Sequence, residues 1–434
     1  MWLSFDLQPA LENMPVQLPP PNTDELPPRP PRPVIWAVCF AVFILVGVLS
    51  TLLTWPKTEP TATPWFWLRL FVFPALAWCV VFGLRKHLYD DELERLKAED
   101  AVREEDRAKA IRFASEPLAV LGHAYLCAMG SVDAATQLSQ GNTLLKARQF
   151  LPVGLAAQSS KEPMTIRVTS LDGLAGKTRV ERCRSAFERL LKLIDESVST
   201  VPSHVPLDVR LQLPGDMDAN MLLALWRVCW QEQGLRAARA RLVENGRGLM
   251  TLDEWLDVWG GPELERVALF VSLQLHDTPP HNSAEAGVAL LLGWAPLAQR
   301  CGLAPIAMLH RPVEVISTSL EDALGTSLLW GNVTAPDIND LWQTGLEKSD
   351  KSALLKGTPN PLLGLARKED LSGVHDIDLA LGHAGAAAGW LATAMAIENA
   401  STHGEPQLIA WREGTLRFSV AQPATQKSTS ETRA

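Results

Sequence analysis

Two apolar runs near the N-terminus constrain this chain more than any other feature. Val34 to Trp55 (VIWAVCFAVFILVGVLSTLLTW) carries no charge, and Trp65 to Leu84 carries only Arg69, close to its start. About 20 consecutive apolar residues cross a bilayer as a helix, so two such runs joined by a short loop predict a transmembrane hairpin over residues 34–84. A cleavable signal peptide is not expected, because the first run begins late and lacks a small-x-small site. Trp55, Trp65 and Trp67 flank the loop, where aromatic belts form, and Arg69 can snorkel to the interface. Arg29 and Arg32 precede the first run and Arg85 and Lys86 follow the second, whereas the loop holds only Lys57 beside Glu59. The positive-inside rule then places both termini and the main domain in the cytoplasm.

Residues 1–33 are proline-rich (PPPNTDELPPRPPRP) and predict an extended, disordered arm, either a plain linker or a docking motif. Residues 85–116 are charged, with acidic residues early and basic residues late, which suits a helix aligned with its own dipole. A solvated stalk is expected there, with a two-stranded coiled coil as the alternative. Net charge is −9, which argues against a nucleic-acid partner, since phosphate binding needs clustered Lys and Arg. The six cysteines are scattered and form no CxxC pair. Thiolate metal sites and a disulfide framework are therefore not expected, and a reduced compartment fits.

From residue 117 to about 420 the pattern is globular. LAVLGHAYL, MTIRVTSL, VPLDVRLQL, VALFVSLQL, EAGVALLL, QLIAWREG and TLRFSVAQ read as strands, while Arg179–Ser197 and Met221–Glu232 read as amphipathic helices. Alternation of the two predicts an α/β domain, followed by a disordered tail over 421–434. The stretch LGHAGAAAGWLATAMAIE (Leu381 to Glu398) predicts a turn with His383 at the N-terminus of a helix of small residues. Gly weakens a helix by about 1 kcal/mol relative to Ala, so Gly385 and Gly389 suggest that another backbone comes close, at the centre of the domain, and Gly382 and His383 belong to the same motif.

LGHAGAAAGWLATAMAIENA resembles the GHxGAAAG motif of thiolase-superfamily condensing enzymes, the β-ketoacyl synthases in particular. SAEAGVALLLG is similar to their GEGAAALLL-like segment, LAVLGHAYLCAMGSVDAATQLSQG to their opening strand and helix, and TLRFSV to the approach to their last strand. The resemblance implies a thiolase-like αβαβα layered domain built from two related halves, with His383 at the position that handles acyl intermediates. It also exposes departures. The family's nucleophile is a cysteine on a strained turn, and no cysteine here has that context. In TSLLWGNVTAPDIND, read as the place of the second histidine, Trp330, Gly331 and Asn332 stand without one. A glycine-rich oxyanion segment is missing after TLRFSV.

The resemblance therefore implies a pseudoenzyme in which His383 is vestigial and no catalytic residue is assigned. It implies a membrane-anchored adaptor or chaperone of the kind found in bacterial type VI secretion effector clusters, at the inner membrane. A secretion effector, a spike component or a second thiolase-like protein is the implied partner, with a homodimer as another state. Two alternatives stand beside it: an acyl-thioester-binding or acyl-transferring enzyme using His383 with a relocated nucleophile, and an effector-immunity membrane protein. His276, Asp277 and His281 could approach a metal, but two prolines make that loop a poor ligand frame. His375, Asp376 and Asp378 could cluster with His383 or serve only as helix caps. No Walker loop, dinucleotide fingerprint or serine elbow appears, and no cofactor is expected.

Overall fold

In the computed structural model both apolar runs are helices whose large side chains stay exposed. The model describes residues 16, 30–56, 60–150, 164–176, 178–244, 246–258, 261–316, 319–356, 363–367 and 372–424. Most of the proline-rich arm, with Arg29, the loop residues Lys57 and Glu59, and the tail beyond 424 lie outside them. The chain divides into two units, Gln17–Ala110 on one side and Met1–Val16 with Ile111–Ala434 on the other.

In the first unit α1 (Pro33–Thr54) and α2 (Pro64–Ala114) are long and apolar enough to cross a membrane. Val34, Leu45 and Leu53 are 73%, 69% and 78% exposed, unlike the core helix of a soluble protein. Pro74 shapes the second helix. Around it the chain forms a π-turn, Leu68–Val72, in which the Phe73 N–H reaches the Leu68 carbonyl. The next donor in that register is residue 74, which has no N–H. Thr51 of α1 fills the gap: its hydroxyl lies 3.3 Å from the Arg69 carbonyl and 2.8 Å from the Gly47 carbonyl. Trp55 packs on Phe66, Trp65 on Phe73 and Trp67 on Phe71. The charged stretch expected as a stalk helix is helical and continuous with the second apolar helix. Strong helix formers and the absence of proline from 75 to 116 let it run on to Ala114, just ahead of Pro117.

The second unit is built on β1 (Leu118–Leu126), β2 (Leu207–Gln212), β3 (Arg239–Leu242), β4 (Val267–Gln274) and β5 (Ala286–Trp294), then β6 (Ala307–Leu309), β7 (Asp340–Thr344), β8 (Val374–Asp376), β9 (Gln407–Glu413) and β10 (Thr415–Pro423). They run in the order β3-β2-β4-β5-β1-β6-β10-β9-β7-β8, with Val313–Glu314 added beside β10. Counted from its own first strand, each half has the same order: third, second, fourth, fifth, first. Directions repeat as well. The third, second and fourth strands are parallel, and the fifth is antiparallel to both neighbours. The halves join through antiparallel β1 and β6, with Ala119 opposite Met308. A pseudo-twofold through that pair relates them.

Helices α3 (Arg179–Thr200), α4 (Ala219–Glu232), α5 (Met250–Leu256), α6 (Leu320–Trp330) and α7 (Ala388–His403) supply the remaining layers. Thr178 and Glu181 form a capping box that starts α3. Its stripe of Cys183, Phe187, Leu190 and Ile194 packs with Leu222 and Trp226 of α4 on the outer face of the first half. Between the halves, α5 and α7 share one core with β1, β4, β5, β7 and β9. Leu324 and Leu328 of α6 cover the outer face of the second half, with Leu341 and Phe418. Five layers result, with α7 buried in the middle one.

The last strand, β10, contains TLRFSV and runs on to Pro423, three residues past the expected domain end at 420. TLRFSVAQ, read as a strand, is the final described strand. The turn before it is a tight hairpin at Gly414, with Glu413 opposite Thr415, and offers no glycine-rich loop.

Candidate functional site

His383 does not sit on a helix. Gly382 has φ +99° and Gly385 φ +50°, left-handed conformations that break an α-helix. The segment between them is strapped to the first half instead. The His383 N–H donates to the Asn282 carbonyl at 2.8 Å, and the Ala284 N–H donates to the His383 carbonyl at 2.9 Å. A Cβ at residue 382 would stand 2.6 Å from the Ser283 carbonyl oxygen. A 3-10 turn, Gly385–Ala387, then leads to α7 at Ala388. Gln274 and Ser272 at the end of β4 hold that turn through the Ala386 N–H and carbonyl, at 3.2 and 3.1 Å.

Three glycines therefore have three different close neighbours. Backbone approaches at Gly382. At Gly385 a Cβ would meet the Gln274 side chain, and at Gly389 it would lie 2.9 Å from Trp411 Cδ1 and 3.1 Å from Leu249 Cδ1. At Gly385 and Gly389, where a close backbone is expected, side chains take that place, and the backbone approach falls at Gly382 instead.

Asp378 lies behind His383, with its Oδ1 3.4 Å from the imidazole Nδ1. The same carboxylate accepts from the Thr344 hydroxyl at 2.7 Å and the Gly345 N–H at 2.5 Å. The bond to Asp378 raises the His383 pKa against a smaller opposing effect of burial. For Asp378 burial pushes upward, but the His383 bond and charge, the Thr344 hydroxyl and the Gly345 N–H outweigh it and hold the carboxyl below its usual range. The imidazole remains 46% exposed. Asp376 caps the Ile377–Ala380 turn through the Leu379 N–H and ion-pairs with Lys351, while His375 bonds Asp340 at 2.7 Å. So Asp378 joins His383, and Asp376 caps.

Thr344 and Gly345, at the end of β7, are the residues beside His383. Trp330, Gly331 and Asn332 are not. They close α6, where a Cβ at Gly331 would meet Val420 at 2.9 Å.

In the first half, the counterpart of the β8-to-β9 connection that carries His383 is the β3-to-β4 connection that carries α5. Residues 243–266 contain no cysteine. Leu249 leads into α5 and presses on Gly389 of α7, so apolar packing fills the space between the two helix starts. Beside it runs a buried polar chain. Trp390 Nε1 donates to Gln212 Oε1 at 2.5 Å, and Gln212 Nε2 donates to Glu413 Oε1 at 3.0 Å. Arg417 then binds Glu413 at 3.1 Å and Glu314 at 2.9 Å. Nothing in the sequence reading picked out this chain, although Asp208, Arg210 and Gln212 alternate along an otherwise apolar strand.

Three cysteines of this unit are buried. Burial pushes the Cys127 thiol up to about 12 and the Cys183 and Cys229 thiols up to about 11, the reverse of the depression an attacking thiolate needs. Cys301 ends a short helix, Ala295–Arg300, half-buried. Glu188, Cys229 and Glu232 come within 4.8 Å of one another, but Arg184 binds both carboxylates. His276, Asp277 and His281 are engaged separately: the His276 N–H bonds Glu285, Asp277 faces Arg179 at 3.7 Å, and the His281 imidazole accepts from the Arg167 N–H.

No protein-family model matches the chain, and no curated protein does. Solved structures do. The oxazolomycin ketosynthase domain OzmH KS7 of Streptomyces albus JA3453 is 12% identical, with 72% of this chain and 74% of that one covered and a TM-score of 0.50. Ketosynthase twelve of the bacillaene polyketide synthase of Bacillus amyloliquefaciens is 12% identical over 71% and 75% of the two chains, with a TM-score of 0.48. At such identity the likeness speaks of fold alone. With the duplicated strand order and the five layers, it gives the second unit a ketosynthase-like, thiolase-type α/β fold.

Proposed function

We propose that this chain is a membrane-anchored, catalytically inactive thiolase-like adaptor or chaperone that works on protein partners. One observation carries the inactive part. The connection into α5, the counterpart of the His383 approach, has no cysteine and is packed with Leu249 against α7. Burial also pushes the remaining buried thiols up, and among the described residues the His383 imidazole pairs with Asp378 rather than with a thiol. The exposed apolar surface of α1 and α2 supports the anchor. In this reading both helices cross a bacterial inner membrane, with both termini and the thiolase-like unit in the cytoplasm.

The setting is type VI secretion, with the protein helping to load an effector onto the spike or assemble it. That part rests on the resemblance to degenerate condensing-enzyme-like proteins of effector clusters. A homodimer or a pair with a second thiolase-like protein suits such a scaffold. Affinity purification of the detergent-solubilised protein from its native cell tests the reading. Recovery of a spike component or toxin is the expected result, and repeated recovery without either overturns it. A reporter fused at the C-terminus should read cytoplasmic; a periplasmic signal overturns the topology.

The His383–Asp378 pair favours a second reading, an acyl-thioester-binding or acyl-transferring enzyme with His383 as base and a relocated nucleophile. That reading requires activity that His383→Ala abolishes with the fold intact.

A further inference from the structure

Within residues 1–29 the structure describes Val16 alone. Val16 is half-buried and packs against the apolar core on the outer face of the second half, in the same compact unit. Val315, Leu320, Val333 and Val374 pack on that core as well. They come from just past the Val313–Glu314 strand, the start of α6, the turn after α6 and the start of β8. A residue of the proline-rich arm thus helps to cover a core that the second half builds.

The sequence around Val16 suits an apolar seat. Met14, Val16 and Leu18 alternate with Pro15, Gln17 and Pro19, and none of the six is charged. Proline disfavours the α region for the residue before it, which biases Met14 and Leu18 toward extended backbone. In an extended chain side chains two apart point the same way, so one side of this segment is apolar. Pro15 and Pro19 also lack an N–H, which leaves fewer donors to satisfy when the segment lies on an apolar surface. Such surface is present: Ile316, next to Val315, and Leu329, next to Leu328, are 45% and 37% exposed.

The chain is long enough to make the contact within one molecule. Trp36, near the start of α1, packs on Phe82 of α2, and the Trp78 indole donates to the Trp36 carbonyl at 3.2 Å. The arm therefore enters the hairpin close to Phe82. From there to Ile111, the first residue of α2 that belongs to the second unit, about 29 helical residues rise about 43 Å. Between Val16 and Pro33 roughly 17 residues reach about 53 Å as polyproline II and about 60 Å at full stretch. The prolines stiffen a spacer that covers the rise with some reserve. A short tether of matching length holds its end at an effective concentration near millimolar, so three apolar side chains suffice in cis where a free peptide would bind weakly.

We infer that the arm is an intramolecular docking segment, with Met14, Val16 and Leu18 seated on the outer apolar face of the second half. The occupant of that face is the chain's own N-terminal segment. Another extended segment of alternating apolar residues and proline can take the face only when the arm leaves it. Docking in cis requires the two long helices to pair but no particular side of the membrane, and it is indifferent to whether the unit has a nucleophile. Its failure would leave the tests of those readings standing.

The test is site-specific photo-crosslinking of the full-length protein in detergent micelles. One sample carries Val16→p-benzoylphenylalanine and another Gln17→p-benzoylphenylalanine. After irradiation, peptide mapping of the Val16 sample should find crosslinks to residues 313–333 or 374, in a band of monomer mobility. Gln17, turned to the opposite side, should give a several-fold lower yield. Adding Met14→Asp and Leu18→Asp should cut the Val16 yield several-fold, with near-ultraviolet circular dichroism unchanged. Crosslinks confined to other segments, equal yields from positions 16 and 17, or a yield that the double variant leaves intact would overturn the proposal. So would a crosslinked band at twice the monomer mass, because a second copy then supplies the arm.

Discussion

Asp378 holds His383 from behind while its own carboxylate is fixed by two donors on β7, the Thr344 hydroxyl and the Gly345 N–H. The pair joins a connection on the second half to a strand end of the same half, and the His383 backbone is strapped to the first half. It therefore reports on how the halves meet.

Its pH dependence follows from the two directions of shift. His383 has a raised pKa, so its contribution is complete below its unfolded value of about 6.5 and is lost as pH rises through the raised value. Asp378 has a lowered pKa, so its contribution is present above about 3.9 and lost as pH falls through the lowered value. The pair thus contributes most between about pH 4 and 6.5. His383→Gln should lower the melting temperature of the solubilised protein most at pH 5 to 6 and least above pH 8. An equal loss across that range would show that the pair is not charged.

Gly382 and Gly389 separate backbone strain from crowding. Gly382→Ala keeps a left-handed residue at a cost of about 1–2 kcal/mol and adds a contact 2.6 Å from the Ser283 carbonyl. It should shift thermal unfolding downward and loosen the strap at residues 282–284, read by hydrogen exchange. Gly389→Leu must displace both Trp411 and Leu249 and is expected to unfold the thiolase-like unit. A folded Gly389→Leu protein with native near-ultraviolet circular dichroism would mean that α5 and α7 pack less closely than described.

Thr51 substitutes for the donor that Pro74 lacks, which gives a two-residue test of the hairpin. Thr51→Val should cost about 0.6–1.7 kcal/mol, the range for polar contacts between apolar helices. In a Pro74→Ala background a backbone N–H returns at residue 74, and Thr51→Val should then cost less, losing only the bond to the Gly47 carbonyl. Reversible unfolding in detergent micelles measures the cycle. Equal costs in both backgrounds would place the Arg69 carbonyl with some other donor.

How much of this was legible in the sequence depended on burial. Strands β4 and β5 are covered on both faces, so VALFVSLQL and AGVALLLG stand out as unbroken apolar runs. Strands β3, β7 and β8 were missed because RARL is a charged edge, DLWQT is polar and ends in Thr344 of the site, and VHD is only three residues long. Helix α5, with seven residues, is too short for a periodic signal. The duplication was implied only by resemblance, since its proof is strand order, which no single segment encodes. His383 was found through its glycine-rich surroundings, and those same glycines, Gly382 and Gly385, keep it off the helix they seemed to begin. Thr344 and Gly345 could not be found before β7 was placed.

The central claim is that the scaffold has no working nucleophile, and intact-protein mass spectrometry tests it most directly. The full-length protein, purified in detergent, is incubated with acyl-CoA and separately with a cerulenin-like covalent probe. The account predicts an unchanged mass in both cases, for wild type and for His383→Ala alike. A stable adduct mapped to Cys127, Cys183, Cys229 or Cys301, lost in His383→Ala, would contradict it.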